Sequence, residues 1–131
     1  MLFMTMVKSP EGQRPPAGLY DAVVELGRQA GDKLVWSGGL TATKDGALLR
    51  LAGGKIRVTD GPFSEAKEVI GGFAVYDLES KAEAIEWSHR FLDLHRKHWP
   101  EWSGEVELRQ LFEALPFRKR AAPAPVPSAA R

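Results

Sequence analysis

Two segments of the chain, residues 2–7 and 73–76, are apolar on both of the faces that a β-strand presents. A strand buried on one face alternates apolar and polar side chains, whereas a strand covered on both sides is apolar along its length. The sheet that contains these strands must therefore be covered on both of its faces. A chain of 131 residues has few elements with which to do so.

Two segments have the periodicity of amphipathic helices. Apolar residues recur at three- and four-residue spacing over residues 19–30, and Gly31 suits a left-handed C-terminal cap. Ser80 and Glu83 have the spacing of a capping box at the start of a second, longer helix. Pro100 must end that helix. Both helices can lie on one face of the sheet.

A glycine pair predicts a hairpin in the middle of the chain. Gly53 and Gly54 separate two short segments, 47–51 and 55–59, that alternate in polarity. The apolar residues of these segments then face each other on one side. Arg50 opposes Arg57 on the other side, either in solvent or as part of an anion-binding surface.

The order of elements predicts an α+β domain. Strands at 2–7, 33–43, 69–76 and 106–112 alternate with the two helices and the inserted hairpin, which is the split βαβ pattern of ferredoxin-like folds. Since both helices cover the same face in that pattern, the second face needs another cover. A second copy packed sheet to sheet about a two-fold axis is the economical candidate, so we expect a homodimer.

Composition limits the remaining possibilities. Hydrophobic residues make up 44% of the chain and charged residues 27%, as in ordinary globular domains, and there is no cysteine for a disulfide or a thiolate site. The apolar N-terminus is too short for a signal peptide or a membrane span. We therefore expect a cytoplasmic protein that does not enter membranes.

The charge is distributed unevenly. Residues 118–131 carry four basic side chains and no acid, so the remainder carries −3 once these are subtracted from the net +1. This proline- and alanine-rich segment predicts a disordered tail after a folded domain of residues 1–117. An acidic body argues against nucleic acid as a partner.

The most specific signal is the run VTDGPFSEAKEVIGGF at residues 58–73. It resembles the signature of the YCII-related proteins, and within them the DGPF branch. The resemblance extends over roughly residues 1–115. It implies a ferredoxin-like fold, dimerisation into an α/β barrel and a pocket between the sheet and the helices, in a family whose members mostly have no assigned activity.

Charged residues in and near this run are the candidate site. Asp60 is either a turn residue that bonds to nearby backbone amides or, if partly buried at the rim of a cavity, a general base. Glu65, Lys67 and Lys8 are the candidate ligand contacts, with solvated surface charge as the alternative.

The histidines give weaker signals. Some YCII-type relatives resemble small lyases or isomerases with a histidine in the first helix and an aspartate, but this chain has no histidine in that helix. His89, His95 and His98 are interpreted as surface or structural residues, because no further ligand completes a metal site with them. Trp99 and Trp102 are assigned to packing or dimer contacts.

Two functions remain open at this point. One is a cofactor-independent enzyme that carries out proton transfer, lyase or isomerase chemistry on a small molecule, with Asp60 as the base. The other is a non-catalytic ligand-binding or regulatory dimer that uses the same pocket. The basic tail also leaves a partner-binding module open.

Overall fold

The computed structural model describes residues 1–63 and 67–112, and the predicted tail lies outside them. Six strands and two helices follow one another along the chain. They are β1 Leu2–Ser9, α1 Ala17–Ala30, β2 Leu34–Gly39, β3 Ala47–Ala52, β4 Lys55–Asp60, β5 Val69–Asp77, α2 Lys81–His98 and β6 Glu105–Gln110.

Four of the strands form one antiparallel sheet in the order β2-β5-β1-β6. This arrangement confirms the α+β prediction and is compatible with a ferredoxin-like fold. β2 has its bulge between Leu34 and Trp36. Gly38 and Gly39 pair regularly with Phe73 and Gly72 of β5.

The two helices pack on the same face of the sheet and enclose the core. Phe3 and Tyr76 are paired neighbours on this face and are almost fully buried. Ala84 and Trp87 of α2 belong to the same cluster, and Trp87 stacks on Tyr76. The Ser80 cap is confirmed, since the Glu83 amide donates to the Ser80 side chain, although the Glu83 carboxylate accepts from the Glu79 amide instead of the Ser80 amide. Gly31 ends α1 with a positive φ of 57°, but its ψ of −130° differs from that of a left-handed cap.

The opposite face of the sheet is apolar over β2, β5 and β1, whereas β6 places Glu107 and Arg109 on it beside Met6 and Met4. We call the side chains of Met4, Met6, Trp36, Phe73 and Val75 the open face. Met4 pairs with Val75 and Met6 with Phe73, one residue out of phase with the core positions of the same strands. Trp36 contacts Phe73 edge to face and remains 56% exposed. In the folded chain, β1 and β5 therefore carry apolar side chains on both faces of the sheet.

The predicted hairpin forms with the expected register. Leu49 pairs with Val58 and Leu51 with Ile56, whereas Arg50 pairs with Arg57. The turn residues Gly53 and Gly54 both have positive φ, as a two-residue hairpin turn requires. This hairpin is a separate two-stranded sheet.

None of the helices in the described part of the chain is both long enough and apolar enough to cross a membrane.

Candidate functional site

A cavity of about 430 Å³ opens beside one end of the four-stranded sheet. Its walls come from the end of β1 and the loop that follows, the segment after β2, the start of β5 and the C-terminal half of α2. Leu19, Phe91, Trp99 and Trp102 supply much of the apolar lining. Glu11 is the one charged residue among the described lining residues.

His95 is the buried polar group of this cavity. It lies on α2, is 7% exposed and lines the cavity. Its ring packs between Phe91 and Trp102, with ring centroids 4.5 and 4.4 Å away. The imidazole is thus held between two aromatic rings.

The hydrogen bonding of His95 fixes its tautomer. Nδ1 lies 3.0 Å from the backbone carbonyl oxygen of Phe91. Because a carbonyl oxygen can only accept, Nδ1 must carry the proton and Nε2 of the neutral ring is an acceptor. Among the described residues Nε2 has no hydrogen-bond partner, and it is not sealed from solvent either. Nε2 therefore keeps an unshared lone pair on a residue that lines the cavity.

Burial lowers the pKa of His95, and the bond to the Phe91 carbonyl opposes that shift only in part. The described charged group that shares the cavity is Glu11, whose carboxylate is occupied elsewhere. The neutral imidazole is accordingly the stable form at neutral pH.

Two tryptophans close the cavity beyond the end of α2. The Trp99 amide donates to the His95 carbonyl oxygen, and the Trp102 amide donates to the Trp99 carbonyl oxygen. Gly104 allows Trp102 to lie where it does, since a Cβ at position 104 would fall 2.4 Å from the indole ring. These tryptophans pack as predicted but also line the cavity, which the sequence interpretation missed.

A carboxylate fixes the rim on the opposite side. Glu11, in the loop after β1, accepts hydrogen bonds from the Thr43 amide at 2.6 Å and the Thr43 hydroxyl at 2.8 Å. These bonds lower the pKa of Glu11. The loop after β1 and the segment after β2 are thereby tied together beside the cavity.

Gly61, the glycine of the DGPF run, lies against the segment that carries Thr43. A Cβ on Gly61 would lie 1.7 Å from the Thr43 carbonyl oxygen, so only glycine fits there. The Gly61 amide donates to the Gly46 carbonyl oxygen at 2.9 Å. Phe63 packs against Gly46 from the other side. This part of the signature has a structural role, because it holds the segment that carries Thr43.

Asp60 ends β4, pairs with Ala47 and is exposed. It is not one of the residues that line the cavity. Lys67 is exposed as well, and Glu65 lies outside the described residues. The structure therefore does not bring Asp60 and Lys67 to the cavity. A catalytic role for Asp60 and ligand contacts by Glu65 and Lys67 stay predictions.

Lys8 lies on the open-face side of β1, next to Met6. Its Nζ bonds to Glu107 Oε1 at 2.5 Å, which raises the pKa of Lys8 and lowers that of Glu107. The cavity lining contains its neighbours Val7 and Ser9 but not Lys8. As a ligand contact, Lys8 also stays a prediction.

The YCII-related domain model matches residues 1–91. The chain belongs to the YCII-related family. No curated protein matches it. The YCII-related match ends before His95, Trp99 and Trp102, so one wall of the cavity lies beyond the matched residues.

The sequence contained one signal for His95 that could have been used. His95 lies four residues after Phe91 and one after Leu94, and thus on the apolar stripe of α2, whereas His89 lies on the exposed side. A histidine on a buried stripe needs a polar partner or a cavity. The segments from other parts of the chain that complete this cavity could not be inferred from periodicity.

We predict that Gly61→Ala destabilises the fold by more than about 2 kcal/mol, because the added methyl group overlaps the Thr43 backbone. Urea unfolding measures this difference. Gly71→Ala is the matched control, since a Cβ at Gly71 meets nothing within 4 Å. Equal stabilities of the two variants would contradict the structural role of Gly61.

We also predict that His95 makes stability depend on pH. The folded pKa of this base lies below its ordinary value of 6.5, so the unfolded state binds more protons between the two values. The contribution of neutral His95 to the free energy of unfolding is complete above pH 6.5 and is lost as the pH falls through the folded pKa. Between pH 7.5 and 5.5 the free energy of unfolding should drop more in the wild type than in His95→Phe.

His89→Gln is the control for this titration, because His89 is an exposed histidine on the same helix. It should retain the wild-type slope. Long-range ¹H–¹⁵N spectra of the imidazole give the tautomer directly. A proton on Nε2 of the neutral ring, or a His95 pKa above 6.5, would contradict the assignment.

Proposed function

We propose that this YCII-related domain binds a small, neutral, largely apolar molecule that carries a hydroxyl or N–H donor. The observation that carries the proposal is the buried neutral imidazole of His95, which lines an apolar cavity and keeps an unshared lone pair on Nε2. An acceptor that has no protein partner among the described residues and is open to solvent can exchange its water for a donor group of a ligand.

The size and lining of the cavity support this ligand class. A volume of about 430 Å³ falls within the usual range of small-molecule sites. Trp99, Trp102 and Phe91 offer flat apolar surfaces on which a ring can pack. A ligand of one or two rings therefore suits the cavity.

The charge of the lining argues against anions. No lysine or arginine is found among the lining residues that the structure describes, and Glu11 adds a negative charge at the rim. A carboxylate or phosphate ligand would lose its hydration without gaining a counter-charge. Neutral ligands pay no such cost.

We predict that 4-propylphenol binds more tightly than 4-propylanisole, which has the same ring but no donor. We expect one net hydrogen bond to lower the Kd of the phenol about threefold to tenfold relative to the Kd of the anisole. Fluorescence titration reports on both ligands, because Trp99 and Trp102 line the cavity. In His95→Phe, which keeps an aromatic ring between Phe91 and Trp102, the two ligands should bind equally.

The exposed His89→Gln variant should keep the preference for the phenol. If His95→Phe still binds the phenol more tightly than the anisole, His95 does not accept the hydrogen bond from the ligand. Failure of both ligands to saturate the wild-type protein would contradict the proposed ligand class.

The catalytic alternative is cofactor-independent proton transfer, and the same imidazole supports it. A neutral ring with a free Nε2 can accept a proton from a carbon next to a carbonyl group. Its lowered pKa keeps the basic form populated at neutral pH. His95 is thus a candidate base besides Asp60, which lies on the hairpin.

We predict that the protein accelerates deuterium exchange at the α-carbons of 4-propylcyclohexanone in D₂O, as followed by NMR, if the alternative holds. His95→Phe and Asp60→Asn then identify the base, since the variant that loses exchange has lost the group that accepts the proton. Exchange at the buffer rate in the wild-type protein would exclude this chemistry for ketones and leave the binding function.

We further propose that the working unit is a homodimer. The support is the open face, where apolar side chains of Met4, Met6, Phe73 and Val75 lie on the side of the sheet opposite the helices. Uncovered faces of this kind favour association.

A further inference from the structure

The side of β5 that faces the helices carries smaller side chains toward the cavity. Tyr76, Ala74 and Gly72 lie at alternate positions on this side, because β5 pairs with β1 without a shift over this stretch. Tyr76 belongs to the core, and Ala74 packs against it. Gly72 lines the cavity. The cavity therefore lies where β5 has no side chain to fill the space between the sheet and the helices.

Helix α2 runs back over β5 in the opposite direction, since it follows that strand directly in the chain. The two elements meet where Trp87 stacks on Tyr76, with ring centroids 6.1 Å apart. Four residues of a helix advance about 6 Å and two residues of a strand about 6.8 Å. Positions four apart on α2 therefore stay nearly in step with positions two apart on β5.

This register places His95 opposite Gly72. The first step beyond Trp87 leads to Phe91, opposite Ala74, and both pack against the core cluster. The second step leads to His95, opposite Gly72, and both line the cavity. The imidazole and the backbone at Gly72 thus bound the cavity from opposite layers of the fold.

The hydrogen bond of His95 turns its free nitrogen away from α2. Nδ1 lies 3.0 Å from the carbonyl oxygen of Phe91, in the preceding turn of the same helix. Nε2 is on the other side of the imidazole ring. The residue is 7% exposed, and among the described residues Nε2 has no partner. A nearly buried acceptor that is turned toward a cavity indicates a ligand within it.

Glycine at position 72 is not required by the backbone conformation, because its φ is outside the left-handed region. A Cβ there would lie 3.2 Å from the Gly38 carbonyl oxygen, so the edge strand β2 would have to move by a few tenths of an ångström. Glycine within a strand lowers stability. Its presence beside a cavity favours the close approach of another molecule.

We infer that the ring of the ligand occupies the space of the side chain that β5 lacks at Gly72, with its donor group bonded to His95 Nε2. The inference rests on the proposed function and narrows the ligand to a single ring that stands on the sheet as a side chain would. It also makes Gly72 the residue that determines whether such a ring is admitted.

Gly72→Ala tests this role, because its methyl group would take the space of the ring. The Kd of 4-propylphenol, measured by tryptophan fluorescence, should rise at least about fivefold. Gly39→Ala is the matched control. Gly39 pairs with Gly72 but does not line the cavity, and its Cβ would meet a single neighbouring atom, 3.9 Å away. This variant should keep Kd within about twofold.

A second measurement uses the wild-type protein and does not depend on how the variants fold. In NOE spectra of the complex with 4-propylphenol, the ring protons of the ligand should contact the α-protons of Gly72 and the imidazole protons of His95. Contacts to His95 without contacts to Gly72 would overturn the inference.

The outcomes separate the inference from the proposed function. Wild-type protein that binds the phenol as tightly as Gly72→Ala does would overturn the role of Gly72 and leave the proposed function in place. Equal weakening in Gly72→Ala and Gly39→Ala would also overturn it, since the effect would then not come from the cavity. Wild-type protein that binds neither the phenol nor the anisole would overturn the proposed function and this inference together.

Discussion

Two helices can cover only one face of a four-stranded sheet, and the arrangement of apolar residues in this molecule follows from that limit. The helices bury Phe3, Tyr76 and their neighbours, and the alternation of a strand then sends Met4, Phe73 and Val75 to the other side. These three side chains do not belong to the core between the sheet and the helices. The side of the sheet away from the helices is therefore left with exposed apolar side chains, and a hairpin with exposed apolar residues emerges from the same chain.

The cavity arises where the layers of this fold separate. Beyond the core, the C-terminal half of α2 faces the ends of β1 and β5 and the loops beside them across the cavity, and His95 lies on this side of the helix. Phe91 and Trp102 hold the ring on both sides, and the backbone of the preceding turn determines which nitrogen carries the proton. The helix thus supplies the orientation, the tautomer and the apolar surroundings of one chemical group.

Periodicity and turn chemistry predicted the fold in most of its detail, including the cap at Ser80 and the register of the hairpin. These features depend on neighbours that are close in sequence. The site predicted from the sequence consists of charged residues in and near a conspicuous motif, and of these Lys8, Asp60 and Lys67 do not line the cavity. The glycine of that motif holds a loop, and the cavity is formed by residues far apart in sequence, such as Glu11 and His95.

Gly104 has a bearing on how this site can diversify. It does not line the cavity, yet the absence of its side chain leaves room for the Trp102 indole, which would be 2.4 Å from a Cβ at this position. Any larger residue there would displace the indole and reshape the space beside the imidazole. A single change outside the wall can thus reshape the cavity, so relatives with the same lining residues need not have cavities of the same shape.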